Sequence, residues 1–200
     1  MNSNSTTLFD DHLERHIDAY APGVLNPAQH FQLVEELPKF CALAGVSQKH
    51  VTHSMLDCPM VGSEVDWMRR FNQHLGNGVY GAVFIGGDRV LDRMSAMVGC
   101  ALRNYIHAKL VTVQSLVEQL KEGYTPKEDL LVISNFCLPK SQGGNTPSWQ
   151  ITMVVGMLME RFVSDKHTVV YTTSMADVKA QYGYAVATHI EDYFERIMGA

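Results

Sequence analysis

The segment Tyr80–Tyr105, YGAVFIGGDRVLDRMSAMVGCALRNY, decides the fold of this chain. Residues 81–85 form a short apolar run that predicts a buried strand, and Gly86 and Gly87 end it. Apolar residues then recur at helical spacing as far as Tyr105, which predicts a helix directly after the turn. Strand, glycine turn and helix is the layout of a phosphate-binding loop, in which backbone N–H groups and a helix N-terminus hold anionic oxygens.

The side chains of this turn differ from those of a working phosphate loop, G-x-x-x-x-G-K-[ST]. When the frame starts at Gly86, Asp92 stands at the lysine position and Arg93 at the hydroxyl position. A carboxylate about 4 Å from a phosphate charge is repelled by roughly 4 kcal/mol at an effective dielectric constant of about 20. We therefore expect Gly86, Gly87, Asp92 and Arg93 to form a degenerate loop that binds no cofactor.

An alternative stays open at this helix N-terminus. Arg89 and Arg93 offer positive charge to an anion there. Asp88 and Asp92 are interleaved with them, so the local net charge is zero, which disfavours anion binding.

The rest of the chain alternates strands and helices, which predicts an α/β fold with parallel strands joined by right-handed crossovers. We expect a parallel sheet of about four strands with flanking helices and a small N-terminal helical module. The strands after the first are predicted at residues 109–113, 129–133 and 168–172, and the main helices at 63–75, 90–105, 149–162, 176–181 and 185–198.

The domain organisation follows from the same pattern. We expect a helical module over 1–44, a connecting segment with one helix over 45–77, and the α/β core over 78–200. Pro38 is expected to bend or stop the second helix of the module. Two short helices bury little surface alone, so we expect their apolar residues to dock on the core or on a partner: Phe9, Leu13, Ile17, Phe31, Val34 and Leu37.

Composition excludes several classes of protein. The net charge of −5 gives no bulk attraction to nucleic acid or to an anionic membrane. The 4 cysteines are widely spaced and contain no C-x-x-C, which is typical of reduced thiols in a cytoplasmic protein and indicates no metal site. No apolar run approaches the roughly 20 residues that a membrane span needs.

Five segments in order resemble the DnaC/IstB-type AAA+ family of bacterial and phage helicase loaders and transposition helpers. The similarity covers about residues 44–194. The first two segments, Gly45–His50 followed by Ser54–Leu56 and then Leu110–Leu116, are similar to the family's entry segment and second strand. The other three, Asp129–Ile133, Arg161–Ser174 and Ile190–Phe194, are similar to its Walker B strand, its sensor-1 region and its LLDRL segment.

The departures from the family concern the chemistry of ATP hydrolysis. Ser134 and Asn135 stand where the Walker B acidic pair is expected, Thr173 replaces the sensor asparagine and Tyr193 replaces an arginine. The chain also stops soon after Phe194, so we expect the family's fifth strand to be absent. The resemblance therefore implies a degenerate nucleotide site and a protein that is not an ATPase.

The resemblance implies a DNA replication accessory protein of phage or mobile-element type. Its partner would be a DnaB-type replicative helicase, loaded without ATP hydrolysis and engaged through the N-terminal helices. By family position, Arg69, Arg70, Arg103 and Lys140 are candidate contacts to single-stranded DNA. The alternatives are a decoy that inhibits host helicase loading, a divergent ATP-binding ATPase, and an unrelated doubly wound fold.

Overall fold

A computed structural model describes residues 34–57, 62–137 and 147–198 of the chain. These residues form one sheet with the strand order β2-β3-β4-β1-β5, in which every paired neighbour is parallel. The α/β fold class and the parallel strands predicted from the sequence are thereby confirmed. The strands are β1 Gly81–Ile85, β2 Ala108–Val111, β3 Leu130–Ile133, β4 His167–Thr172 and β5 Phe194–Met198.

Helices cover both faces of the sheet. On one face, helices α1 to α5 pack against strand residues such as Ala82 and Val132; on the other, α6 to α9 pack against residues such as Val83 and Ile133. Because β1 and β3 are buried on both faces, they have no polar side, which is why the sequence shows continuous apolar runs. The helices are α1 Leu37–Ala44, α2 Gln48–Thr52, α3 Gly62–Arg69, α4 Phe71–His74, α5 Val90–Arg103, α6 Val113–Lys121, α7 Ser148–Val163, α8 Met175–Tyr182 and α9 Tyr184–Tyr193.

The prediction that the fifth strand is absent was wrong, because the sheet has five strands where about four were expected. Residues 194–198 form β5, which pairs with β1 in the register Gly81↔Phe194. The sequence conceals this strand because Ile190, Phe194 and Ile197 are spaced like one face of a helix, and no glycine or proline separates α9 from β5. Pairing with β1 gives the segment its strand conformation, and tertiary context overrides the local pattern.

Gly81 explains why Phe194 fits at the start of that pair. A Cβ at Gly81 would lie 2.0 Å from the Thr168 carbonyl oxygen and 2.8 Å from the Phe194 ring. The missing side chain therefore lets the aromatic ring cover the backbone of β1, an arrangement that stabilises glycines in sheets.

Helix α1 belongs to the core. Residues 34 and 35 are helical, a turn at Glu36 interrupts the helix, and Pro38 lies in the first turn of α1, where its missing N–H is harmless, so the predicted bend or stop at Pro38 is confirmed. Leu37 is 1% exposed and packs in the core, which contradicts its assignment to a partner-binding surface. Val34 is half-buried, and Phe9, Leu13, Ile17 and Phe31 lie outside the described residues.

Two features of α5 hold α2 against the core. A Cβ at Gly99 would lie 1.9 Å from the His50 carbonyl oxygen, so only glycine permits this approach. Arg103 then donates from Nη1 to the carbonyl oxygens of His50, Val51 and His53. The C-terminal carbonyls of a short helix thus receive charge-assisted hydrogen bonds from α5.

A buried aromatic cluster joins α3 and α4 to the first residue of β4. Trp67 is fully buried and stacks on His74 with ring centroids 4.6 Å apart, and His74 Nε2 hydrogen-bonds the Trp67 carbonyl oxygen at 2.8 Å. His167 contacts Phe71 at 4.4 Å between ring centroids. Burial lowers the pKa of His167 to about 4, and His74 nearby adds to the decrease. The cluster is therefore built around a neutral His167 at physiological pH.

Arg161 fixes the end of α7 to the sheet. Its guanidinium is buried and donates to the Thr168 hydroxyl and to the carbonyl oxygens of Pro126, Glu128 and His167. Burial lowers the Arg161 pKa to about 10, so the group stays charged at neutral pH. Four acceptors satisfy this buried charge, as its burial requires.

None of the helices in the described residues combines the length and the hydrophobicity that a membrane-spanning segment needs.

Candidate functional site

The carboxyl edge of the sheet is where a nucleotide would bind in an open parallel α/β fold. Here β1 ends at Ile85, and the Gly86 N–H donates to the carbonyl oxygen of Thr172, the last residue of β4. Helix α5 begins at Val90, so four residues, 86–89, form the whole connection between strand and helix.

The backbone of this connection is tightly wound. Gly86 and Gly87 have φ values of 67° and 98°, a region that glycine occupies without steric strain. Arg89, the residue before the helix, also has a positive φ of 51°, which is unfavourable for a residue with a Cβ. Gly86 and Gly87 therefore allow the chain to turn directly from the end of β1 into the start of α5.

The residue at the lysine position of the phosphate loop is Asp92, which forms an exposed ion pair with Arg89. Asp92 Oδ2 accepts from Arg89 Nη2 at 3.1 Å, and its other oxygen lies 3.8 Å from His50 Nε2. Burial lowers the pKa of His50, Lys49 adds to the decrease, and Asp92 opposes it. His50 is therefore mostly neutral at pH 7, and Arg89 is the cation that balances Asp92.

The residue at the hydroxyl position is engaged in a buried ion pair. The Arg93 guanidinium is 4% exposed and Glu64, on α3, is 0% exposed. Arg93 Nε and Nη2 both contact Glu64 Oε1, and Nη1 donates to the Asp88 carbonyl oxygen at 3.3 Å. The positive charge of Arg93 is thus turned away from solvent and is neutralised within the protein.

Sequence reasoning missed Glu64. A signal was present, because Glu64 shares one helix face with Trp67, Met68 and Phe71 at spacings of three, four and seven residues. A carboxylate on an apolar face implies a buried cation as its partner. The sequence does not say that this cation is Arg93, which lies 29 residues away.

The Walker B position, after β3, is neutral. The Ser134 N–H and hydroxyl both donate to the Val111 carbonyl oxygen, and the Asn135 side chain is exposed. The Phe136 carbonyl oxygen accepts from the Tyr182 hydroxyl, which ties this segment to α8. Ser134 and Asn135 therefore provide no carboxylate at the Walker B position to hold a cation or to activate water.

The sensor position is part of a helix cap. Thr173 and Ser174 both donate from their hydroxyls to Asp177 Oδ2 at 2.7 Å. The Ser174 hydroxyl also accepts from the Asp177 N–H at 3.1 Å, which caps the N-terminus of α8. Within the described ranges, no group of three or more His, Cys, Asp or Glu side chains could hold a metal ion.

Of the three candidate DNA contacts that the structure describes, two lie on the surface and one is buried. Arg69 and Arg70 are exposed and pair with Asp66 and Glu195 at 3.3 Å and 2.8 Å, respectively. Arg103 is 4% exposed and its guanidinium donates to the carbonyls of α2, which contradicts its assignment as a phosphate contact. Lys140 lies outside the described residues.

No protein-family model and no curated protein matches this chain. Among solved structures, the fold is similar to that of the DnaC helicase loader (TM-score 0.57, 16% identity), over 76% of this chain and 99% of that one. It is also similar to DnaI (TM-score 0.57, 15% identity), over 76% and 90%, respectively. A third similar structure is AMPPCP-bound DnaA from Aquifex aeolicus (TM-score 0.52, 14% identity), over 76% of this chain and 50% of that one.

Because these three proteins are only 14–16% identical to this chain, the comparisons establish a similarity of fold. The five-stranded parallel α/β fold of this chain is therefore similar to the fold of the DnaC helicase loader, in agreement with the α/β fold that the resemblance to the DnaC/IstB-type family predicts.

Proposed function

We propose that this protein is a DNA replication accessory protein that binds a DnaB-type replicative helicase and assists its loading without hydrolysing ATP. The similarity to the DnaC helicase loader supports the role, because it spans 99% of that chain and not only a shared motif. Origin in a phage or mobile element stays a prediction from the sequence.

The observation that supports loading without ATP is the occupation of the phosphate-loop position by internal ion pairs. Asp92, paired with Arg89, stands where a loader would present a lysine to the β- and γ-phosphates. Arg93 is buried against Glu64 and offers no charge to a ligand. A triphosphate at this turn would face the Asp92 carboxylate with no free cation at the lysine position.

Calorimetric titration of the intact protein with ATP and Mg²⁺ tests this part. We expect no binding tighter than about 100 μM, which corresponds to roughly −5.5 kcal/mol. Tighter binding would favour the alternative of a divergent ATPase and would remove the ATP-independent part of the proposal.

The proposed helicase contact lies in the N-terminal segment. Phe9, Leu13 and Ile17 repeat at helical spacing, which suits docking of one apolar helix face in a groove of the partner. Because Leu37 belongs to the core, the docking residues are expected before α1.

A pull-down with purified helicase tests the contact, using the double substitution Leu13→Asp and Ile17→Asp in the full chain. We expect this variant to lose binding. Leu43→Asp is a matched control, because Leu43 is 65% exposed on α1 and tolerates a charge. Retained binding by the double variant would refute the docking assignment.

A loading assay on DNA coated with single-strand-binding protein separates the loader from the decoy. Stimulation of loading supports the proposed role, and suppression of the host loader supports inhibition. Titration of bare single-stranded DNA over a series of salt concentrations tests the remaining DNA-contact prediction with Arg69→Gln and Arg70→Gln. Each removed phosphate contact should lower the log–log slope of binding against salt by roughly 0.7.

A further inference from the structure

The hydroxyl of Ser47, the residue before α2, is directed at an imidazole and not at its own helix. Thr112 and Ser174, which stand at the same position before α6 and α8, each accept a hydrogen bond from a backbone N–H of the helix that follows. Ser47 accepts no such hydrogen bond from the described backbone of α2. Its Oγ instead lies 3.1 Å from Nδ1 of His50, which is within hydrogen-bonding distance.

The second ring nitrogen of His50 determines which partner donates this hydrogen bond. His50 Nε2 lies 3.8 Å from Oδ1 of Asp92, in the first turn of α5, and Arg89 binds the other carboxylate oxygen. A carboxylate favours the tautomer that carries its proton on the ring nitrogen facing it. With the proton on Nε2, Nδ1 keeps its lone pair and accepts from the Ser47 hydroxyl. Asp92 therefore orients His50 as a base towards Ser47.

His50 is neutral at physiological pH, as a base must be. Burial lowers its pKa, and the positive charge of Lys49 and the neighbouring His53 add to the decrease. From α5, Asp92 faces the ring and opposes the decrease, while Arg103 binds the His50 carbonyl oxygen. A neutral histidine held against a hydroxyl and oriented by a third group is the arrangement that activates a serine as a nucleophile.

The three side chains lie at the edge of the sheet where open parallel α/β folds bind ligands, because Asp92 belongs to the helix that follows the carboxyl end of β1. Ser47 is exposed, whereas His50 is 9% exposed, so the nucleophile is open to solvent and its base is shielded. An exposed nucleophile suits a small ester with a good leaving group, because such a leaving group departs with little stabilisation by the protein.

We propose that Ser47 is a nucleophile that takes the acyl group of small activated esters, with His50 as its general base and Asp92 as a positioning residue. Ser47 Oγ bonds to the carbonyl carbon as its proton passes to His50 Nδ1, and the ester C–O bond then breaks as the leaving group takes that proton. In the second step, water adds its oxygen to the acyl carbon and gives a proton to His50. The acyl–serine bond breaks, and Ser47 recovers its proton from His50. No step involves a nucleotide or a helicase, so this activity is independent of the loading proposal.

A fluorophosphonate probe tests the nucleophile in the intact wild-type protein. Attack by Ser47 forms an Oγ–P bond and expels fluoride, so peptide mass spectrometry should find the stable phosphonyl group on Ser47. Because the measurement uses the wild type, it does not depend on the folding of a variant. A phosphonyl group on other residues alone, or no reaction, would overturn the proposal.

Hydrolysis of p-nitrophenyl acetate measures the turnover. Ser47→Ala and His50→Gln should each lower the rate of p-nitrophenolate release above background by roughly 100-fold or more, since each removes one partner of the proton transfer. Ser164→Ala is the matched control, because Ser164 is also exposed but lies at the end of α7, and it should keep the wild-type rate. Equal rates for the wild type and Ser47→Ala would overturn the proposal.

The pH profile of phosphonylation tests the role of Asp92. The rate should rise as His50 loses its proton and should be level above about pH 6.5, the ordinary pKa of histidine. Asp92→Asn should lower the plateau and move the midpoint to lower pH, because the Asp92 carboxylate raises the His50 pKa. An unchanged midpoint would show that Asp92 does not act on His50, and would overturn its assignment as the positioning residue.

Discussion

Removing either member of the Glu64–Arg93 pair should destabilise the protein strongly, because both side chains are almost completely buried. The substitutions Glu64→Met and Arg93→Met each leave one charge in the core without its counter-ion. Breaking a buried pair in this way costs about 3–5 kcal/mol. For a domain of this size we expect the melting temperature to fall by roughly 6–20 °C in each variant.

The double variant should be much more stable than the sum of the two single changes predicts. Replacing both charges by apolar side chains removes the desolvation penalty together with the attraction, and such replacements are often neutral or stabilising. We therefore expect a coupling energy of at least about 2 kcal/mol in the double-mutant cycle. The control is Arg69→Met on the same helix as Glu64, whose exposed pair with Asp66 should contribute less than about 1 kcal/mol.

Urea denaturation followed by circular dichroism measures these free energies of unfolding, with and without ATP and Mg²⁺. If the ion pair occupies the loop in place of a ligand, nucleotide should not raise the stability of any of the three variants or of the wild type. If Glu64→Met and Arg93→Met each lowered the free energy of unfolding by less than about 1 kcal/mol and their effects were additive, the assignment of a buried, coupled ion pair would be refuted. A clear stabilisation of the wild type by ATP would refute the inference that the ion pair occupies the loop in place of a ligand.

Three further predictions test the packing of the core. The pKa of His167 is lowered to about 4 in the folded state, so neutral His167 favours the folded protein fully above pH 6.5, and this stabilisation of up to roughly 3 kcal/mol is lost as the pH falls towards 4. Thermal melts across this pH range should show the decrease in stability, and His167→Phe should make the stability less dependent on pH. Gly99→Ala should lower the free energy of unfolding by about 2 kcal/mol or more, because the new Cβ would overlap the His50 carbonyl. Gly156→Ala should raise it by up to about 1 kcal/mol, because a Cβ at this helical position meets no described atom within 4 Å. Equal effects of the two substitutions would contradict the assigned packing. Arg161→Met should cost about 3–5 kcal/mol in chemical denaturation, since four acceptors lose their donor, and a loss under about 1 kcal/mol would show that water replaces it.

The sequence by itself determined the alternation of strands and helices and which residues stand at the phosphate-loop positions. Periodicity located β1 and α5 because a strand buried on both faces and a helix with an apolar stripe have different spacings. The residues at the turn after β1, Asp92 and Arg93, could be compared with the lysine and hydroxyl of a phosphate loop without any coordinates. Both conclusions depend on local order along the chain.

Only the tertiary structure decided which charged side chains are buried and that residues 194–198 form a strand. Arg103 looks like a surface residue in the sequence, but the carbonyls of α2 surround its guanidinium. Residues 194–198 have the spacing of a helix, but pairing with β1 makes them a strand. Glu64 and Arg93 neutralise each other across 29 positions of sequence. In each case the deciding partner is distant along the chain, and burial and long-range pairing outweigh the local preference that a sequence pattern reports.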